Sequence, residues 1–149
     1  MNKNSQVDQI MAVMETAFDP QWGEAWNRRQ VEDALLLPNT FAILNTGESQ
    51  DETATGFLIT RHAPDEEELL LIAVDPKYRR QGTAQKMLSQ LKVDARARGA
   101  SRIFLEMREN NPAKVLYLQV GFEPIGRRKD YYLISDGSRM DAITYGLSI

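Results

Sequence analysis

Apolar positions in the first third of the chain recur at helical spacing. Val7, Ile10, Met11, Met14 and Phe18 share one face of a helix that must end before Asp19-Pro20. A second helix is predicted over Glu24 to Leu37, with Trp26, Val31, Ala34 and Leu35 inward and Pro38 as its stop. The period then changes. Thr40 to Asn45 and Ala54 to Arg61 read as strands around the polar turn Thr46 to Thr53. Glu68 to Val74 reads as a continuous apolar run, the mark of a central strand covered on both faces.

Helical spacing returns after Gly82, where Ala84, Met87, Leu88, Leu91 and Ala95 form one face of a helix to Arg98, with Gly99 as its cap. Arg102 to Met107 is the next strand. A short helix follows, with Asn111 as N-cap, Pro112 at its first position and Gly121 past its end. Glu123 to Tyr132 and Met140 to Ser148 are two further strands, joined by a turn containing Asp136-Gly137. The expected order is α-α-β-β-β-α-β-α-β-β, a mixed α/β single domain spanning residues 1–149.

Composition narrows the chemistry more than the fold. A length of 149 residues suits one domain with a real core, and 42% hydrophobic with 26% charged residues lies outside the disordered range. A net charge of −3 argues against broad binding to nucleic acid or to an anionic membrane. The charge is unevenly placed: Asp65 to Glu68 is acidic, whereas Lys77, Arg79, Arg80 and Arg127 to Lys129 are basic. With no cysteine, disulfides, thiolate nucleophiles and zinc-finger sites are excluded. The single histidine, His62, argues against a His-rich metal site and reads as a surface residue. No run approaches the ~18 apolar residues of a membrane span. The expectation is a soluble, cytoplasmic protein without a metal, a monomer or weak dimer.

The segment with most chemical content is Arg79-Arg80-Gln81-Gly82-Thr83-Ala84-Gln85, between a buried strand and a helix. The first turn of a helix leaves its amides unpaired, and the helix dipole adds partial positive charge there. Gly82 lets the backbone approach an anion closely, Ala84 keeps the next position small, and Arg79 and Arg80 add charge. The loop lacks the Lys-Ser/Thr of a Walker loop and the third glycine of a dinucleotide fingerprint. Alone, this pattern supports anion binding and is equally compatible with a tight turn carrying solvated arginines.

The Arg/Gln-x-x-Gly-x-Gly/Ala pattern, directly after Ile72-Ala73-Val74-Asp75-Pro76, resembles the acetyl-CoA-binding motif of the GNAT acetyltransferase superfamily. Asn111-Pro112-Ala113, Leu116-Tyr117 and Gly121-Phe122 resemble a second motif of the same superfamily, and matching segments run from about Glu68 to the C-terminus. Leu105 to Arg108, Arg127 to Tyr132, Asp136-Gly137 and Asp141-Ala142 carry a finer resemblance, to members that acetylate protein N-termini. The resemblance implies a mixed sheet with helices on both faces, and acetyl-CoA as co-substrate bound by Arg79 to Gln85 and Asn111. It further implies a protein N-terminus as acceptor, with ribosomal protein S18 beginning with alanine as the partner, and no direct nucleic-acid or membrane contact.

Amide formation from a thioester needs a neutral amine, a polarised carbonyl and a protonated leaving thiolate. An α-amine, with a pKa near ~8, needs only modest help from a base. Glu106 is the candidate base. It ends the apolar segment Ile103 to Leu105, where a carboxylate is costly unless paired or functional, and the resemblance implies the same role. Its bland alternative is a strand-edge carboxylate paired with Arg102 or Arg108, and Glu68 is the reserve base. Tyr117 is the candidate acid, a phenol that stays protonated near neutral pH, or else part of a packed helix face with Leu116 and Val120. Main-chain groups of Ile72, Ala73 and Val74 are expected to meet the thioester carbonyl and the pantetheine arm. Tyr131 and Tyr132 are expected to flank the acceptor's N-terminus, and Trp26 to pack in the core.

The pattern departs from the superfamily in three places. The usual opening strand is missing or is built from Met1 to Ser5, Ala84 replaces a commoner glycine, and the interval from Glu106 to Tyr117 is one residue short. The shortening leaves Asn110 and Asn111 as alternatives for the CoA contact. A lysine or small-molecule amine acetyltransferase, and a non-catalytic CoA-binding module, are the competing functions.

Overall fold

The computed structural model describes residues 3–18, 25–46 and 53–149. One six-stranded sheet runs through it in the order β1-β2-β3-β4-β6-β5. The strands are β1 (Thr40–Thr46), β2 (Ala54–His62), β3 (Glu66–Val74), β4 (Arg102–Arg108), β5 (Glu123–Leu133) and β6 (Arg139–Ser148). All neighbours pair antiparallel except β3 and β4. A parallel pair needs a long crossover, and helix α3 (Thr83–Ala97) supplies it.

Helices cover both faces of the sheet, as the sequence implies. On one side α1 (Lys3–Ala17) and α2 (Arg28–Leu36) bury Val7, Ile10, Val13, Met14 and Val31 against Phe57, Ile59, Leu71 and Ala73. On the other, α3 and α4 (Lys114–Val120) bury Met87, Leu88, Leu91, Ala95 and Tyr117 against Leu58, Ile103, Leu105 and Met107. Strand β2 alternates between the two, with Phe57 and Ile59 on one side and Leu58 on the other. Each buried Val, Leu, Ile, Phe or Met among them contributes about 1.5–3 kcal/mol by leaving water. Gly56 sets how closely α3 lies on the sheet, since a Cβ there would stand 3.0 Å from the Ala73 carbonyl and 3.0 Å from Met87 Cε.

A bulge in β3 opens this sheet. Ile59 pairs with Leu71 but Thr60 pairs with Leu69, so Leu70 is extra on β3. An extra residue bends its strand and reverses the side-chain alternation. Leu69 therefore joins the α3 core whereas Leu71 joins the α1 core. The pairing of β3 with β4 covers only Glu66 to Glu68 against Arg102 to Phe104, and beyond it the strands diverge.

Several boundaries differ from the sequence reading. Helix α2 starts at Arg28, where Asn27 accepts from the Gln30 amide and the Gln30 side chain accepts from the Asn27 amide, a closed capping box. Helix α4 starts at Lys114: Asn111 and Pro112 form a tighter turn with i→i+3 bonds, Lys114 N–H to Asn111 and Val115 N–H to Pro112. Lys3 to Ser5 belong to α1, so no strand precedes it among the described residues. The expected turn Thr46 to Thr53 falls largely outside the described residues. Gly99 and Gly121 end α3 and α4 as expected.

His62 is not the surface residue expected from sequence. Its side chain is 19% exposed, with Nδ1 3.1 Å from Glu67 Oε1. Glu67 is fully buried, accepts from Thr60 Oγ1 at 2.9 Å and from Arg98 Nε at 2.8 Å, and is ion-paired with Arg98 Nη2. Burial pushes its carboxyl up, but the Arg98 and Thr60 hydrogen bonds and the Arg98 charge together outweigh it and hold the group below the ordinary range. This network ties the start of β3, on the closed side of the divergence, to the end of α3.

Candidate active site

The divergence of β3 from β4 leaves a cleft of about 830 Å³. Leu69 to Val74 form one wall, and Leu105 to Arg108 the other. Asn111 to Ala113, Leu116 and Tyr117 close one end, while Phe18, Trp26 and Gln30 from the α1–α2 side and Tyr132 from β5 line it elsewhere. Beyond Glu68 the main chain of β3 on the β4 side has no strand partner among the described residues. Ile72, Ala73 and Val74 therefore bring free peptide groups to the cleft, able to pair with an amide-bearing chain laid between the strands.

A second recess of about 350 Å³ adjoins the first, and the two share Val74, Arg79, Ala84 and Leu116. Its walls include Arg80, Gly82, Thr83, Ala84 and Gln85, but not Gln81. Gly82 stands at the start of α3 with φ +75°, and no side chain among the described residues caps the helix there. The first helical bond runs from Lys86 N–H to the Gly82 carbonyl, so the amides of Thr83, Ala84 and Gln85 precede it and lack helical partners. A Cβ on Gly82 would meet nothing within 4 Å. The glycine is there for its left-handed backbone and for the open space above it, which is how a chain presents amides to an anion. Arg79 does something the sequence did not suggest: its Nη2 donates to the Ala17 carbonyl at 2.7 Å, tying the loop to the end of α1. Ala84 is not in the α3 core but stands where the two recesses meet.

Alternation along β4 sends Ile103, Leu105 and Met107 into the core and Arg102, Phe104, Glu106 and Arg108 to the other face. Glu106 reaches the cleft wall, where its Oε2 lies 3.3 Å from Arg128 Nε. The anticipated partners are engaged elsewhere: Arg102 pairs with Glu66, and the Arg108 guanidinium lies 5.0 Å from the Tyr132 ring centroid. Glu68, the reserve base, is ion-paired with Arg61 and is not on the cleft wall.

Tyr117 is 7% exposed and packs edge-on against Phe122, ring centroids 5.6 Å apart, yet it borders the cleft. The packed-face reading of its sequence position holds, and the same side chain also borders the cleft. Asn111 is buried and on the cleft wall, with Oδ1 accepting from the Ala113 amide at 2.9 Å. Asn110 is exposed and does not line the cleft.

The two tyrosines separate. Between Arg128 and Tyr132 the register of β5 against β6 slips, with Asp130 at φ +54°. Asp141 Oδ1 accepts from the Asp130 amide at 2.8 Å and pins this bulge, and Asp141 is also ion-paired with Arg127. Tyr132 is thereby brought to the cleft, while Tyr131, 48% exposed, lies outside it and stacks edge-on against Tyr132 at 5.1 Å. Sequence reasoning also missed Arg108, Arg128 and Phe18. Only the alternation of β4 marks Arg108 as sharing a face with Glu106, and nothing local marks Arg128.

A mixed sheet opened between its two parallel strands, beside a helix N-terminus with free amides, is an architecture suited to an anionic ligand with an extended amide-bearing arm. Residues 7–122 match the family model described as "Acetyltransferase (GNAT) family". The chain belongs to that family and is an acetyl-CoA-dependent N-acetyltransferase.

Among particular proteins it is similar to the "[Ribosomal protein bS18]-alanine N-acetyltransferase" of Haemophilus ducreyi, 40% identical over 114 residues, covering 75% of this chain and 79% of that protein. The enzyme of the same description from Escherichia coli K12 is 39% identical over 107 residues, covering 71% of this chain and 72% of that protein. The crystal structure of the Escherichia coli ribosomal-protein-S18-alanine N-acetyltransferase superposes with a TM-score of 0.82 at 28% identity, covering 99% of this chain and 90% of that one.

Proposed function

We propose that this chain transfers the acetyl group of acetyl-CoA to the N-terminal α-amine of a protein, and that its acceptor is ribosomal protein bS18 beginning with alanine. The acceptor rests on the relatives, which carry that activity in their names. A ribosomal acceptor would be met in the cytoplasm.

The amides of Thr83, Ala84 and Gln85, with Arg80, hold the pyrophosphate, and Gly82 keeps the approach to them clear. The unpaired edge of β3 at Ile72 to Val74 takes the amide-bearing arm and directs the thioester toward Glu106 and Tyr117. Asn111 helps shape the wall beside it. Glu106 accepts the proton that the α-amine must lose, directly or through one water. The protonated amine meets a carboxylate whose present partner, Arg128, is an exposed side chain and so is readily displaced. Tyr117 donates its phenolic proton to the departing sulfur. Tyr132 bounds the acceptor end of the cleft, and Tyr131 supports it from outside.

The observation that carries this reading is the meeting of Glu106, Tyr117 and Tyr132 on one cleft that runs into the uncapped start of α3. Acetyl transfer from acetyl-CoA should be measured on a peptide with the bS18 N-terminus, on the same peptide with its α-amine blocked, and on free lysine and a polyamine. Rapid transfer to the free peptide alone is expected. Turnover on the polyamine or lysine with none on the peptide would overturn the assignment.

A further inference from the structure

Arg108 brings an unspent hydrogen-bond donor to the cleft. Its Nε is buried and makes no hydrogen bond among the described residues. The guanidinium stacks on Tyr132, and both line the cleft beside Glu106. The neighbouring cations are engaged: Arg128 on Glu106, Arg127 on Glu109 and Asp141, and Arg79 on the Ala17 carbonyl. A guanidinium is always charged and presents a rigid fork of donors. Burying such a donor without an acceptor is unfavourable, so the site is completed by an acceptor that the substrate brings.

The geometry of β4 says which one. Glu106 and Arg108 are two residues apart on one strand face, roughly 6.6 Å along it. An extended peptide advances about 3.3–3.6 Å per residue. With its α-amine at Glu106, the carbonyl oxygens of its first two residues come within reach of Arg108. A lysine ε-amine in the same place presents only methylene groups there, and a polyamine presents methylene groups or a further protonated amine, none of which accepts a hydrogen bond from a guanidinium. Charge favours a neutral acceptor too, because Arg108, Arg127, Arg128 and Lys129 are balanced at this end by Glu106, Glu109, Asp130 and Asp141.

We infer that Arg108 hydrogen-bonds the first peptide carbonyls of the acceptor and so selects a peptide α-amine over a bare alkyl amine. The inference rests on the N-terminal reading above. Its test compares wild type with Arg108→Met and Arg108→Lys on an alanyl peptide amide, on a peptide with glutamate in second place, and on isopropylamine, which keeps alanine's amine and loses its carbonyl. Acetyl-CoA affinity, measured by calorimetry, checks that each variant is folded. For Arg108→Met, kcat/KM on both peptides should fall roughly ten- to a hundredfold, mostly in KM, with isopropylamine changed less than twofold. Arg108→Lys should lie between. Equal losses on all three acceptors, no loss on any, or a loss confined to the glutamate peptide would each overturn the inference. A wild type that acetylates isopropylamine but neither peptide would refute the N-terminal reading, and the inference with it. A wild type that acetylates both peptides, with variants unchanged, would refute the inference alone.

Discussion

Replacing Gly82 by alanine separates the anion site from the fold that carries it. The added Cβ meets nothing within 4 Å among the described residues, so packing is untouched. What changes is the backbone, because φ +75° is left-handed and an L-residue there costs about 1–2 kcal/mol. For a chain of this size that lowers Tm by about 2–8 °C. The bound state suffers more. The Cβ stands in the space an incoming pyrophosphate must cross, and any relaxation of the turn moves the amides of Thr83 to Gln85 away from it. Losing one hydrogen bond to a charged group is worth about 1.5–3 kcal/mol, a roughly ten- to hundredfold rise in the Kd of acetyl-CoA. Calorimetric titration with acetyl-CoA, beside a thermal melt of the free protein, reads both effects. A variant melting a few degrees lower, with Kd within twofold of wild type, would refute the assignment of this turn as the anion site.

Two further outcomes follow from the geometry. The Glu67 carboxyl is held below its ordinary value of about 4.3, so its contribution is complete at neutral pH and is lost as the pH falls below that value. Glu67→Gln leaves Arg98 without its buried counter-charge and should cost about 3 kcal/mol at pH 7, with a shallower loss of Tm between pH 5 and 3 than wild type; parallel melting curves would contradict this. Asp141→Ala frees the bulge at Asp130 and should raise the acceptor KM roughly fivefold or more with little change in acetyl-CoA affinity. Asp141→Asn keeps the Oδ1 acceptor for the Asp130 amide and should recover most of the loss in steady-state assays.

The order of helices and strands was legible in the sequence because each signal was local: helical spacing to Phe18, alternation after Thr40, glycines closing α3 and α4. The cleft was not. Leu69 to Val74 are all apolar, so a residue inserted at Leu70 leaves no mark in the pattern, although it reverses the alternation and opens the sheet. Glu67 was concealed in a different way. An acidic run reads as solvated, and only the pairing of β2 with β3 brings Thr60 and His62 alongside it, with Arg98 arriving from α3. The pairing of Glu106 with Arg128 spans β4 and β5, which are separated by β6, so no spacing along the chain encodes it. Tyr131 and Tyr132 stand out in the sequence as a pair, but the bulge that sends one to the cleft and leaves the other outside depends on Asp141, from the neighbouring strand.

The central claim is that Glu106 removes the acceptor's proton in a cleft whose cofactor half is independent of it. Single-turnover acetyl transfer to an alanyl peptide by Glu106→Gln, followed across pH 6 to 9.5 alongside acetyl-CoA affinity, tests this most directly. The expected result is an unchanged acetyl-CoA Kd with a rate lowered about a hundredfold or more at pH 7. Transfer should partly recover as the pH rises past the amine's own pKa, near ~8. A variant that matches wild type at every pH, or that loses cofactor binding together with transfer, would contradict the account.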